Sequence, residues 1–241
     1  MDPLATLKQQ LGIRRLVLQI HDASFPSRPD EDTGRGSPYS QGARDFLQFV
    51  QKLGFDGIQL GPQGQTDRGN PCPYDGRLFV HDFLSIALRP LVKDPYWEGL
   101  LAEDTVRRIT EARPSGTQRT HHEFAWDELS AALDEVWLAF KARGEKDSPL
   151  DRDLAAFRAE NAGWLELTSK NLDPARHAFV QFVLHKQHHQ LKSEFPDLHF
   201  YGDLQIGMGP VDAQMFADLF HADYAMGAPP SRTNPEGQPW G

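Results

Sequence analysis

One cysteine, Cys72, stands among 241 residues. An intrachain disulfide and a cysteine-based zinc site are both excluded. Long apolar runs are missing too. None approaches the ~18–20 residues of a membrane-spanning helix, and the mean hydropathy is −0.55. The first eighteen residues hold no apolar stretch of signal-peptide length ahead of a small-residue cleavage site. The expectation is a soluble, cytoplasmic protein with no membrane partner. Positive charge is scarce, with 25 Lys and Arg against 34 Asp and Glu, a formal charge of −9. That balance argues against a nucleic-acid partner. No GxGxxG follows the first predicted strand and no GxxxxGK[ST] occurs, so a dinucleotide or P-loop reading has no support. His185 and His189 lie one helical turn apart, but Lys186 stands where HExxH requires Glu, and His185 to His189 reads better as a solvated helix face beside Lys186 and Gln187. No cofactor and no metal are expected.

What is present is enough to build a core. Hydrophobic residues make up 39% of the chain, and 15 Phe, 5 Trp and 5 Tyr are among them. Leu16, Val17, Leu18 and Ile20 predict a buried strand within Arg15–Ser24, ending at the polar pair His21-Asp22. A loop rich in Pro, Gly, Asp and Ser follows. Gln41 to Leu53 reads as a helix with Phe46, Phe49, Val50 and Leu53 on one face, stopped by Gly54. Gly57 to Leu60 reads as a second strand. Strand, helix, strand is a βαβ unit, whose usual home is a parallel sheet. A second long loop, 61–76, leads to Leu84–Leu88, a short strand or extended segment. Helices are then expected over 103–109, 123–143, 151–169 and 173–193. Leu198 to Ile206 is a third strand, Val211 to Phe220 a helix, and Ala222 to Met226 a possible fourth strand. The fold class expected is α/β, either an open doubly wound sheet or a (β/α) barrel. Residues 95–195 form a mostly helical insertion.

In parallel α/β folds the site lies at the C-terminal ends of the strands. There the chain offers His21-Asp22, Gly61 to Gly64, and Asp203 with Gln205. Asp203 reads either as a buried carboxylate tied up structurally or as a site residue, because an unpartnered buried carboxylate is costly. Tyr74 and Trp240 sit in Gly/Pro-rich loops rather than on apolar stripes, as loop anchors or ligand platforms. Cys72 has no basic neighbour to activate it and reads as a small side chain.

Two stretches narrow this. The first runs from Gln59-Leu60-Gly61-Pro62 through Asn70-Pro71-Cys72-Pro73-Tyr74. The second joins Tyr201-Gly202-Asp203-Leu204-Gln205-Ile206 and Asp212-Ala213 to Gly227-Ala228-Pro229-Pro230 and Gly237-Gln238-Pro239-Trp240-Gly241. In order and wording they resemble the 4-α-glucanotransferases, the amylomaltases or disproportionating enzymes of glycoside hydrolase family 77. The resemblance implies the N-terminal portion of a (β/α)8 TIM barrel with a large helical insertion. It implies transfer of α-1,4-glucan segments between maltodextrins by a retaining double displacement.

By the same resemblance, Tyr74 matches a tyrosine that packs against sugar near the cleavage point. Asp203 matches an aspartate that shapes the site. Gln238 and Trp240 match a loop that arches over bound glucan and excludes water. Cys72, also placed in the substrate site, stands where the family has Ser. Gln205 replaces the Pro of GDLPI, and Ser231-Arg232-Thr233 replaces an Asp-Tyr-Phe tip, so the branch is divergent. The family's Arg-x-Asp-His nucleophile segment and Glu-Asp-Leu-Gly acid segment are absent. The expectation is that the catalytic carboxylates lie beyond Gly241, that 1–241 is a partial catalytic barrel, and that this chain alone is inactive. The alternative is a non-catalytic glucan-binding module or pseudoenzyme.

Overall fold

The computed structural model describes residues 3–115, 119–144, 146–170, 172–205, 207, 209–221, 223–224 and 226–239. Helix α1 (Pro3–Gln10) leads into β1 (Val17–Ile20), α2 (Gln41–Lys52) and β2 (Gly57–Leu60). Lys8 of α1 is bound to Asp56 at 2.5 Å, just before β2. Strands β1 and β2 pair in parallel, with Leu18 beside Ile58 and Ile20 beside Leu60. The third member, β5 (His199–Tyr201), pairs in parallel with β2 and sets Phe200 beside Ile58. The spatial order is β1-β2-β5. Side chains alternate along strands, so Leu18, Ile58 and Phe200 share one face with Ile20 and Leu60 and join the core. Gln19, Gln59 and Tyr201 share the other.

The expected βαβ unit and the parallel placement of all three strands are therefore present, but the strands are shorter than their apolar runs suggest. Asp22–Ser24 turns into a 3-10 helix, and residues 202–205 leave the sheet after Tyr201. A closed barrel is not seen: the described parallel sheet has three strands. Of the fourth short strand expected over 222–226, residues 222 and 225 lie outside the described set, and 223, 224 and 226 form no strand. The neighbouring β6 (Gly227–Ala228) pairs antiparallel with β7 (Gln238–Pro239).

Helix α2 begins where Ser40 accepts from the Ala43 N–H, and it ends at Gly54, whose φ of 83° suits glycine. It buries Ala43, Leu47 and Val50, whereas Phe49 and Leu53 face solvent. Of the stripe expected, Phe46 and Val50 pack on the core and Phe49 and Leu53 do not. Between β2 and the helical region a hairpin intervenes, β3 (Gly64–Gln65) with β4 (Arg77–His81), antiparallel. The segment Leu84–Leu88 is no strand: Phe83–Ser85 is a 3-10 helix and α3 (Leu88–Lys93) follows.

The helical stretch comprises α4 (Glu103–Ala112), α5 (His122–Ala142), α6 (Pro149–Glu160), α7 (Ala162–Thr168) and α8 (Pro174–Glu194). The helix expected over 151–169 is two, broken at Asn161, whose side chain bonds the Phe157 carbonyl and the Trp164 indole. Ser148 and Asp151 form a reciprocal cap on α6, and Asp173 with Pro174 opens α8. Helix α8 lies in the middle of the core, burying Phe179, Phe182, Val183 and Leu191. It also buries two amides. Gln181 accepts from the His81 N–H at 2.9 Å and donates to the His81 carbonyl at 3.0 Å. Gln187 does the same to Ala87, at 2.9 and 2.8 Å. Each glutamine stands in for a neighbouring strand and satisfies a backbone pair that helix packing would otherwise strand. After β5 the described chain adds α9 (Pro210–Met215) and the β6–β7 hairpin. No helix among the described residues is long and apolar enough to cross a membrane.

Candidate functional site

The three parallel strands end side by side, and each is followed by polar residues: His21-Asp22, Gly61 to Gln63, and Gly202 to Gln205. Tyr74 arrives from the second long loop, on a single 3-10 turn (Pro73–Asp75) capped by Cys72. Its hydroxyl donates to Asp203 Oδ2 at 3.1 Å across 129 residues of sequence. Its ring meets the His21 imidazole edge-on, centroids 5.8 Å apart. Gly61 makes room for this pair, since a Cβ there would come within 2.5 Å of His21 Nδ1. Gly207 does the same for the Tyr74 carbonyl, at 2.7 Å. Gln205 donates to the Gly76 carbonyl and fastens the end of the β5 segment to the Tyr74 loop. Partial burial, then the bond to Asp203, pushes the Tyr74 hydroxyl above its ordinary pKa, so it remains a donor. Cys72 is half-buried beside Tyr74, and its N–H donates to Asn70 Oδ1 at 3.1 Å.

Behind this front row lies a buried layer. Asp22 accepts from Gln63 Nε2 at 2.9 Å and from Ser85 Oγ at 2.7 Å. Burial raises its pKa, against the pull of Gln63, Arg35 and Ser85. It positions Gln63 at the rim. Asp82, fully buried, gathers Thr66 Oγ1 at 2.9 Å and Gln65 Nε2 at 3.2 Å, with the Arg35 guanidinium 3.5 Å away. Tyr39 is buried with its hydroxyl 3.3 Å from His188 Nδ1. Burial holds His188 and His81 each at a pKa of about 4, so both imidazoles are neutral at pH 7.

Asp203, Gln63 and Gln205 open onto a cavity of about 460 Å³ between β4 on one side and α6, α7 and α8 on the other. Asp203 is the one carboxylate among the residues lining it, and Arg77, its one full cation, faces Asp212 at 3.6 Å. The remaining polar groups are amides and imidazoles, and the apolar ones include Phe79, Phe157 and Trp164. Such a lining suits an uncharged ligand with many hydroxyls and a C–H-rich face.

Of the residues singled out in the sequence, Tyr74 and Asp203 are brought together, and Cys72, two residues before Tyr74, is not on the cavity wall. Gln238 is exposed in β7 and is not on the cavity wall. Trp240 lies outside the described residues. The solvated face expected over 185–189 needs correction. His185 and His189 are exposed, with ring centroids 4.2 Å apart, but Gln187 is buried and His188 turns inward. Among the described residues no group of three or more His, Cys, Asp or Glu is placed so that it could hold a metal ion. Sequence reasoning missed His81, Gln181, Phe79 and Trp164 as site residues, while Gln63 fell inside the Gly61 to Gly64 strand end it offered. Gln181 carried a signal, an amide inside the Phe179–Val183 apolar run; Phe79 carried none.

Residues 168–241 match the family model of the 4-alpha-glucanotransferases, glycoside hydrolase family 77. This stretch holds Asp203, Gln238 and Trp240, while Tyr74 and Cys72 lie outside it. The resemblance read from the motifs is thereby supported from an independent side. Among solved structures, the chain is similar to an amylomaltase from Streptococcus agalactiae in complex with acarbose, with a TM-score of 0.72 and 18% identity. That match covers 95% of this chain and 52% of the other, so this chain spans about half the length of the amylomaltase it resembles. No curated protein matches the sequence. The likeness is one of fold, an α/β architecture with a parallel sheet and many helices.

Proposed function

We infer that this chain supplies the glucan-binding floor of a 4-α-glucanotransferase, and that the nucleophile and acid/base carboxylates come from sequence outside residues 1–241. The observation that carries this reading is the Tyr74–Asp203 bond at the C-terminal ends of parallel strands. An α-1,4-glucan would lie over Tyr74, Asp203 and Gln63, with hydroxyls on the carboxylate and amides and a sugar face on the aromatic ring. A retaining double displacement needs two carboxyl groups ~5 Å apart. Asp22 is buried and Asp203 is the one carboxylate among the residues lining the cavity, so no such pair is presented to a ligand there. These groups bind and orient glucan and keep water from the scissile bond, which favours a sugar hydroxyl as acceptor over hydrolysis. In this reading residues 1–241 are part of a (β/α)8 barrel, with 95–195 as its helical insertion. Gln238 and Trp240 belong to a loop over the substrate. The test is calorimetric titration with maltoheptaose beside glucose release from maltotriose. Saturable binding that Tyr74→Ala abolishes, without glucose release, is the expected result. Turnover by residues 1–241 alone would overturn the placement of the carboxylates, and no binding would overturn the glucan reading.

A further inference from the structure

In this acidic chain, of formal charge −9, exposed arginines are held close by carboxylates. Arg28 grips Asp45 with two bonds of 2.7 and 2.9 Å, and Arg68 grips Asp127 with two of 2.8 Å. One pocket departs from that pattern. It lies where the loop after β1 folds against the link between α4 and α5, has a volume of about 340 Å³, and gathers Arg35, Arg113 and Arg119. The Arg35 side chain is only 7% exposed, yet its contacts are 3.4 Å to the Gly36 carbonyl and 3.5 Å to Asp82. Charge-assisted bonds of a guanidinium run ~2.7–2.9 Å, so this buried group is slackly held. Arg113 stands 2.8 Å from Asp32, but its buried Nε makes no hydrogen bond among the described residues. Arg119 is exposed and has neither ion pair nor hydrogen bond among the described residues. Asp32 is the one carboxylate in the lining and Asp82 stands behind Arg35, so three cations face two anions. The walls are fixed. The His121 N–H donates to the Gly34 carbonyl at 2.7 Å, and the Gly36 N–H to the Ala23 carbonyl at 3.1 Å. A Cβ on Gly36 would come within 2.2 Å of the Phe25 carbonyl, so the tight fold that places Arg35 needs glycine there.

We propose that this pocket binds a phosphoryl dianion, the group shared by inorganic phosphate and phosphorylated small molecules, with Arg35, Arg113 and Arg119 as its binding residues. A planar guanidinium presents paired N–H donors that match two oxygens of a phosphate. Buried polar groups are not left without strong partners unless something else bonds them, and an anion answers both the spare donors and the excess charge. An uncharged sugar would answer the donors alone. The ligand class therefore differs from that of the cavity at Asp203, where Arg77 is faced by Asp212, and the two share no lining residue. The volume falls at the lower end of the ~300–1,000 Å³ of small-molecule sites. Ser24, Ser27 and Thr120 line the pocket beside the arginines, and their hydroxyls suit the rest of a phosphorylated molecule. The inference goes beyond the glucan reading and does not depend on it.

The experiment uses the whole chain and titrates inorganic phosphate and glucose 6-phosphate by calorimetry, each against sodium chloride of equal ionic strength. The variants are Arg119→Ala, Arg113→Gln and, as a control, Lys52→Ala, an exposed cation on α2 outside the pocket. Arg119 is exposed and unpaired, so its removal should leave the thermal midpoint unchanged. Phosphate should bind saturably to the unaltered chain. Its affinity should fall about tenfold in Arg119→Ala, the scale of one lost charge-assisted bond, fall likewise in Arg113→Gln, and stay level in Lys52→Ala. Both sources of the phosphoryl group fit the site, and the two arms tell them apart. Glucose 6-phosphate binding more tightly than phosphate assigns the pocket to phosphorylated molecules, and binding no more tightly assigns it to the free ion. No saturable binding of either over chloride would overturn the site. So would an affinity that Arg119→Ala and Arg113→Gln both leave unchanged, or an equal fall in Lys52→Ala, which marks general charge screening. Titration of the same protein with maltoheptaose in phosphate-free buffer reads the glucan site separately, so either reading can fail without the other.

Discussion

Gln187→Ala should be among the most damaging single changes in this protein. The Gln187 side chain is buried on α8 and satisfies both the N–H and the carbonyl of Ala87, itself buried. Truncation leaves two backbone groups without partners in a place water does not reach. Each unsatisfied group costs about 1–3 kcal/mol, so the pair alone comes to about 4 kcal/mol before any cavity is counted. That is a large share of the ~5–15 kcal/mol that holds a domain together. Gln190, one turn along and exposed, is the control; its change to alanine should stay within ~0.5 kcal/mol. Urea unfolding followed by circular dichroism and tryptophan fluorescence reads the difference as a shift in midpoint at constant slope. If Gln187→Ala and Gln190→Ala unfold at the same urea concentration, the amide clamp has no energetic content and the account of α8 fails.

Three further outcomes follow from the structure. His81, His177 and His188 are each held at a pKa of about 4 by burial, below the 6.5 of an unfolded chain. Below pH 6.5 the unfolded state takes up protons that the folded state refuses. Stability should therefore fall with acidification between pH 6.5 and 4, by up to about 4 kcal/mol per pH unit where all three act. Asp22, raised by burial, opposes this near the acid end; a flat urea midpoint from pH 7 to 5 would contradict the prediction. Asp173→Ala removes the cap that accepts from the Ala175 and Arg176 N–H groups, and urea unfolding should show a loss of about 1 kcal/mol. Gly61→Ala drives a methyl into His21 and should displace the ring that Tyr74 packs against. Titration with maltoheptaose should show weaker binding, and unchanged affinity would sever His21 from the site.

The parallel sheet was legible because β1 and β2 are short apolar runs closed by polar or Gly-Pro breaks, with an amphipathic helix between them. The β3–β4 hairpin was not. Its strands are separated by eleven residues of loop, and one of them is only Gly64-Gln65. The break between α6 and α7 falls at Asn161, whose side chain holds it, with Gly163 just beyond. Tyr74 and Asp203 were each named by resemblance as site residues, and their contact was not, since nothing in their spacing brings residues 129 apart together. His188 and Gln187 look solvated on α8 because a helix does not announce what packs over it. Tyr39 and the backbone at Ala87 do that, and both come from distant sequence. The left-handed backbone of Phe79 leaves no mark in composition or period at all.

The bonds between Gln181 and His81 have a consequence for how anything enters the cavity. They tie one wall, β4, to the opposite wall, α8, by two hydrogen bonds, so the gap between them is a fixed dimension with no hinge. A ligand meets a slot of set width and is sorted by fit. Little ordering entropy remains to be lost on capture, because the backbone on both sides is immobilised beforehand. Filled and empty forms should then differ in rotamers at the rim, with the backbone superposing to within about 1 Å.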